Sequence, residues 1–400
     1  MNKPELLAPA GNLKKLKLAF YYGADAVYLG GKTFSLRSFA ENFNDEELAE
    51  GIAYAHARGK RVYIAANIFA RNSDFPALEG YFRRLEALHA DGVLVSDLGV
   101  LRLVKRVAPR LAVHISTQAN TVNAEAAAMY YSLGASRVVL ARELSVAEIA
   151  EIHAAVPELE LEAFIHGAMC ISYSGRCYLS DYIDGRSSNR GACAQPCRYA
   201  WEIRAKERKS DWLSLEADER GTYLLNSKDL NMSAHLPALW GAGIASLKIE
   251  GRMKSEYYLA TVVNAYRRII DMGYSDALTA ELETVTHREY TTAYAFGANA
   301  RTTSVQGSQY AGSCEFIAIV RGWYSGRVTV EMRTRFYEGD VLEILAPSSC
   351  FGELVTVSNM QDAEGAVCPD AKRVQALYTF DCPFALQEGD ILRRRRRKGD

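Results

Sequence analysis

The sequence contains no uninterrupted apolar stretch long enough to cross a bilayer, which leaves membrane-spanning helices without a basis and no membrane partner to expect. It opens Met1-Asn2-Lys3-Pro4-Glu5-Leu6-Leu7, without a basic head, apolar run and cleavage site, so no export signal is expected and the chain is read as cytoplasmic. Neither sign of charge is in excess: 47 Lys and Arg against 48 Asp and Glu give a net charge of -1, and bulk charge therefore selects no partner. There is no Gly-x-Ser-x-Gly elbow and no His-Glu-x-x-His helix, which removes two common routes to peptide-bond hydrolysis. Eight cysteines in a large chain with no secretion signal argue against a disulfide framework, because the cytosol keeps thiols reduced. Clustered cysteines in that setting usually bind metal.

What is present is the mix of an ordinary globular protein, 49% apolar and 24% charged. Four hundred residues exceed one average domain, so one barrel-sized domain plus a smaller one is expected. From Glu5 to about Arg268, short β-branched runs alternate with stretches carrying apolar residues three and four apart. The candidate strands are centred on Leu6, Val27, Val62, Val93, Val113, Val138, Leu161, Tyr223-Leu224-Leu225-Asn226 and Leu247. Continuous apolar strands between helices imply a parallel sheet covered on its outer face, and their number favours a closed (β/α)8 barrel over an open doubly wound sheet. Nine candidates for eight places leave one outside the barrel or wrongly assigned.

Polar residues follow these strands: Asn67, Asp97, Thr117-Gln118, Arg142-Glu143, His166, Asn226-Lys228-Asp229, then Glu250 and Arg252. A barrel gathers such positions on its carboxyl-end face, where the substrate mouth lies. Asp97 and Thr117 are equally placed to cap helices. Past Tyr290 the pattern turns to alternating runs with glycine turns, a small antiparallel β domain of barrel-like kind ending in Arg393-Arg394-Arg395-Arg396-Arg397-Lys398. That basic run is either a footprint for RNA or a solvated tail. The domains expected are 1–275 for the barrel with a cysteine-rich insertion at about 168–221, a linker at 276–305, and the β domain with its basic tail at 306–400.

Cys170, Cys177, Cys193 and Cys197 are separated by six, fifteen and three intervening residues, whereas a structural zinc site more often shows two tight pairs. An iron–sulfur cluster accepts looser spacing, with Gly175 and Gly191 letting backbone amides approach its sulfides, and Arg176, Arg186, Arg190 and Arg198 offsetting its charge. Zinc is the second choice. Cys314, Cys350, Cys368 and Cys382 are scattered and read as small hydrophobes.

The segment Glu162-Ala163-Phe164-Ile165-His166-Gly167-Ala168-Met169-Cys170, continued by Gly175-Arg176-Cys177-Tyr178-Leu179-Ser180, resembles the signature of peptidase family U32. Glu5-Leu6-Leu7-Ala8-Pro9-Ala10-Gly11, Gly23-Ala24-Asp25-Ala26-Val27-Tyr28-Leu29-Gly30 and Leu247-Lys248-Ile249-Glu250-Gly251-Arg252 are similar to further family segments. Length and the C-terminal β region resemble most the bacterial branch that hydroxylates wobble uridine of tRNA to 5-hydroxyuridine. That resemblance implies a U32 barrel, an iron–sulfur cluster of the [4Fe-4S] type on Cys170, Cys177, Cys193 and Cys197, and prephenate as co-substrate.

Within it, Lys228, Lys248 and Arg252 are expected to bind carboxylates of the donor, with Asn67 and Gln118 as further substrate contacts. Glu250 is a candidate proton acceptor at C5 of the base, or a partner for Arg252. His166 is the second catalytic candidate, and with Cys170 four residues on it would serve the competing peptidase reading. The tRNA anticodon loop would present an unstacked base to Tyr173, Tyr178, Tyr182, Tyr199 or Trp201. A third reading is a non-catalytic RNA-binding or assembly factor that uses only the β domain and tail.

Overall fold

The computed structural model describes residues 3–36, 41–170, 172–198, 217–218, 221–222, 227–297 and 312–396. The chain divides into two compact units, one of residues 1–20, 24–254 and 287–310, the other of 21–23, 255–286 and 311–400.

The first unit is built on eight parallel strands: β1 (Glu5–Pro9), β2 (Ala26–Gly30), β3 (Arg61–Ala65), β4 (Gly92–Val95), β5 (Ala112–Ile115), β6 (Arg137–Val139), β7 (Glu160–Ala168) and β8 (Ile244–Ile249). Each pairs with the next, and β8 pairs with both β7 and β1, which closes the ring and excludes the open sheet. The strands are apolar along their length because both faces are covered: Leu6, Leu7 and Ala8 are fully buried. Leu7, Ala26, Tyr28, Tyr63, Leu94 and Val139 form one cluster drawn from opposite parts of the ring, so they meet inside the closed barrel.

Helices between the strands begin where short polar side chains satisfy the first free amides. Asn44 and Glu47 form a reciprocal cap on Asp45–His56, and Ser145 with Glu148 does the same for Val146–Ala155. Asp97 accepts from the Val100 amide at 2.9 Å, so it is a helix cap. The ninth sequence candidate, residues 223–226, lies outside the described residues, and the barrel is complete without it. The next described strand, Asp229–Asn231, runs antiparallel to the end of β7 and is no part of the ring.

Of residues 276–305, expected as a linker, the described part 276–297 carries secondary structure. Helix Asp276–Leu282 belongs to the second unit, whereas Tyr290–Thr291 pairs with Asp229–Leu230 in the first. The boundary expected at 275 likewise differs, since helix Glu256–Met272 falls within the second unit.

The second unit is dominated by a seven-stranded antiparallel sheet that includes Cys314–Tyr324, Arg327–Met332, Val341–Leu345, Leu377–Asp381 and Ile391–Arg395. Alternate residues such as Val328, Val330 and Met332 are buried in its core. The first arginines of the basic run, expected as a footprint or a solvated tail, are taken up in ion pairs, while Arg395 stays 59% exposed. Arg393 is fully buried between Glu281, at 2.7 Å, and Glu343. Arg394 meets Glu315 at 2.8 Å and Asp340 at 2.9 Å, and Arg395 meets Glu343 at 2.6 Å. These arginines belong to a strand and its ion pairs, and residues 397–400 lie outside the described residues.

Candidate active site at the barrel mouth

The chain following the carboxyl ends of β3, β5, β6 and β8 converges on a cavity of about 440 Å³. Asn67, Gln118, Arg142, Lys248, Glu250 and Arg252 line it together with all four loop cysteines, Cys170, Cys177, Cys193 and Cys197. The outermost of these residues, Asn67 and Arg252, lie 185 positions apart in sequence, and barrel closure brings them together.

The cysteine-bearing segment is held onto the barrel at several points. Glu143 accepts from the Ser174 amide at 2.9 Å and its hydroxyl at 2.8 Å. Arg190 donates to Asp74 at 2.9 Å and to the Phe69 carbonyl at 2.9 Å, while the Phe69 amide donates to the Asn189 carbonyl at 3.0 Å. Gly175 has φ +73°, and a Cβ there would lie 2.1 Å from the Gln118 carbonyl oxygen, so only glycine permits this approach. Ser188 and Asn189 both donate to the Cys177 carbonyl, at 2.9 and 3.2 Å, which fixes the backbone beside that thiol.

Cys170 and Cys177 share a thiol–thiol hydrogen bond, which lowers the Cys177 thiol to about 5 and raises Cys170. Among the described residues, no three His, Cys, Asp or Glu groups meet where a single metal ion would sit. Four thiols lining one cavity are the donor type that an iron–sulfur cluster takes.

Beneath the mouth lies a buried charge cluster. Lys248 donates to Glu162 at 2.6 Å, and Arg137 reaches Glu162 at 3.1 Å and Glu5 at 2.7 Å. Burial alone would raise the Glu162 carboxyl, but the charges of Lys248 and Arg137 outweigh it and bring the group down to about 2. Burial moves Lys248 the other way, below its ordinary value, against the pull of Glu162. Its ammonium stands 4.4 Å from the centre of the Tyr28 ring. The Tyr28 hydroxyl is 3.3 Å from Glu250 and donates to the Ile249 carbonyl at 3.0 Å. Arg252 is buried and donates to Ser35 at 2.8 Å and to Asn42. Asn67 donates to the Ser116 hydroxyl at 3.1 Å and accepts from the Leu36 amide at 3.3 Å.

Two expected site residues are placed elsewhere. His166 lies within β7, buried, with Tyr290 at 5.5 Å between ring centres, and burial pushes its imidazole down to about 3. It is absent from the cavity lining, as is Lys228, which pairs with Glu289. Asn226, Tyr199 and Trp201 lie outside the described residues, as does the side chain of Arg198.

Residues 11–304 match the sequence pattern of "Peptidase family U32", and residues 312–393 that of "Peptidase family U32 C-terminal domain". The chain belongs to peptidase family U32. It is 40% identical to "tRNA hydroxylation protein P1" of Bacillus subtilis (strain 168), over 98% of this chain and 95% of the relative. Identity with "tRNA hydroxylation protein P" of Escherichia coli (strain K12) is 36%, over 93% and 92% respectively. The "23S rRNA 5-hydroxycytidine C2501 synthase" of the same organism is 36% identical over 67% of this chain and 39% of its own length.

In this U32 protein the signature segment has a physical division of labour. Glu162 is the buried counter-ion of Lys248 and Arg137, Phe164 is a wall of the cavity, and Cys170 is one of its thiols. Sequence reading placed Arg142 among the mouth residues but gave it no specific role. Its guanidinium lies 3.9 Å over the Phe164 ring, its Nη1 donates to the Ala168 carbonyl at 3.1 Å, and its Nη2 is 4.0 Å from Glu250. Glu162 was likewise missed, because a charged residue inside a strand pattern does not disclose its partners.

Proposed function

We propose that this U32 protein is an RNA-modifying enzyme that hydroxylates wobble uridine of tRNA to 5-hydroxyuridine with prephenate as co-substrate, and that Cys170, Cys177, Cys193 and Cys197 hold an iron–sulfur cluster. The observation that carries the reading is the presence of these four thiols, Glu250 and the cations Arg142, Lys248 and Arg252 around one cavity. The names of the two tRNA hydroxylation relatives support the tRNA substrate class. When bound, the cluster supplies electron-transfer chemistry at the mouth.

The chain's own residues account for the rest. Hydroxylation replaces C5–H by C5–OH and removes two electrons from the base; with prephenate as the oxygen donor, its C–OH becomes C–H and takes up those two electrons, and a base near C5 accepts the proton that the ring gives up and the donor takes back. Glu250 is suited to it, lying in the cavity within reach of Tyr28 and Arg142. The cationic wall favours a dianionic donor over a neutral one. Tyr173, Tyr178 and Tyr182 in the cysteine-bearing segment are exposed by 53%, 69% and 82%, which leaves their faces open for stacking on unpaired bases.

The peptidase reading needs an activated nucleophile beside a base, and the buried His166, away from the cavity lining, offers Cys170 no support for that role. The test is anaerobic purification with iron and labile-sulfide analysis for wild type and Cys193→Ala, followed by nucleoside analysis of tRNA from a deletion strain carrying either gene. Stoichiometric iron and sulfide, lost in the variant together with 5-hydroxyuridine, are the expected result. A protein without iron, or a strain whose tRNA is unchanged, would overturn the reading.

A further inference from the structure

We propose that Arg142 is the carboxylate anchor of the mouth cavity, its Nε and Nη2 taking both oxygens of one carboxylate of a small anionic co-substrate. This rests on the reading of the cavity as the co-substrate site. Lys248 and Arg252, the cations that sequence favoured for this task, are engaged in the protein: Lys248 is in its buried pair with Glu162, and Arg252 spans Ser35 and Asn42.

Arg142 is held differently. Its plane is set by the Phe164 ring beneath it and by the Nη1 bond to the Ala168 carbonyl, so the guanidinium is oriented before any ligand arrives. The opposite edge has no hydrogen bond among the described residues: Nε is buried without a partner there, and Nη2 stands 4.0 Å from the Glu250 carboxylate, too long for a hydrogen bond. A buried guanidinium nitrogen without an acceptor is costly, and with Nη1 already committed to Ala168 the Nε–Nη2 edge is the one left to present two parallel donors to the oxygens of a carboxylate. The side chain is only 15% exposed, so a charge-assisted pair formed there is shielded from water. Glu250 is the nearby anion that such a ligand must tolerate, which gives the arrangement a signature of its own: neutralising Glu250 favours the ligand, whereas removing Arg142 disfavours it.

The experiment is calorimetric titration of anaerobically purified full-length protein with prephenate, and with phenylpyruvate and malonate as simpler carboxylates. Wild type is compared with Arg142→Ala, Arg142→Lys and Glu250→Gln. Arg142→Ala is expected to weaken binding about tenfold to a hundredfold, and Arg142→Lys, which keeps the charge without the fork, by less. Glu250→Gln is expected to tighten it several-fold, because it removes the anion nearest the site, an arm that does not depend on Arg142→Ala folding, while the loss in Arg142→Lys, which keeps the charge, separates an anchoring fork from a merely electrostatic role. Prephenate binding that is equal in wild type and Arg142→Lys or Arg142→Ala overturns the anchor while leaving the co-substrate reading in place. Arg142-dependent binding of malonate or phenylpyruvate without prephenate binding keeps the anchor and overturns prephenate. No binding of any of the three, or weaker binding by Glu250→Gln, overturns the anchor.

Discussion

Replacing Glu162 by glutamine removes the carboxylate that Lys248 and Arg137 share inside the barrel, and leaves two cations that are 3% and 2% exposed with less anionic charge than they need. Breaking a buried pair by deleting one member costs about 3–5 kcal/mol, since the uncompensated charge stays buried. The titration of Glu162 leads to the same size by another route. A carboxyl brought from 4.5 to about 2 contributes about 3 kcal/mol at neutral pH. Because the folded value is depressed, that contribution is fully present above the unfolded value and is lost as pH falls through the folded one. It shrinks by about a quarter at pH 4 and by more than half at pH 3. Urea unfolding of wild type and Glu162→Gln, followed by circular dichroism from pH 7 down to pH 3, measures both. The expected result is a gap of about 3–5 kcal/mol at pH 7 that narrows below pH 4.5. A gap under about 1 kcal/mol, the range of an exposed pair, or one that widens on acidification would refute the reasoning. Adding Lys248→Met to the variant should restore part of the loss, because Arg137 retains Glu5 at 2.7 Å and Glu160 at 2.6 Å.

Gly175→Ala should lift the cysteine-bearing segment off the barrel, at a cost of about 1–3 kcal/mol for the backbone alone, read as faster protease cleavage within 170–198 with the circular dichroism spectrum unchanged. Arg393→Met should destabilise the second unit by about 3–5 kcal/mol, measured by denaturation, because Glu281 and Glu343 lose their buried partner. At temperatures where that variant is folded, its tRNA affinity should equal that of wild type, since Arg393 has no exposed surface to offer a phosphate. Tyr178→Ala and Tyr182→Ala should each weaken tRNA binding by about 1–3 kcal/mol in a filter-binding assay if the ring stacks on a base, while iron content stays constant.

The alternation of apolar strands and helices foretold the barrel because each local segment carries its own period, and no distant residue is needed to recognise it. The same locality explains the failures. A linker at 276–305 was drawn from pattern alone, whereas the place of Tyr290–Thr291 depends on pairing with Asp229–Leu230, about sixty residues earlier. The arginine run looked like a footprint because sequence shows charge without showing acceptors. Glu281, Glu315, Asp340 and Glu343 become its partners only when the second unit folds.

His166 and Arg142 mark the same boundary within the site. Both stand near strand ends, and strand alternation together with the register of β7 buries the first away from the mouth while Arg142 is laid across Phe164. By itself the sequence determined the barrel class, the family, and the four cysteines as one group, because these are set by local period and by residue type at fixed spacing. Only the tertiary structure decided which charges are spent on each other and which face the cavity, because an ion pair is a matter of distance and burial between segments that lie far apart along the chain.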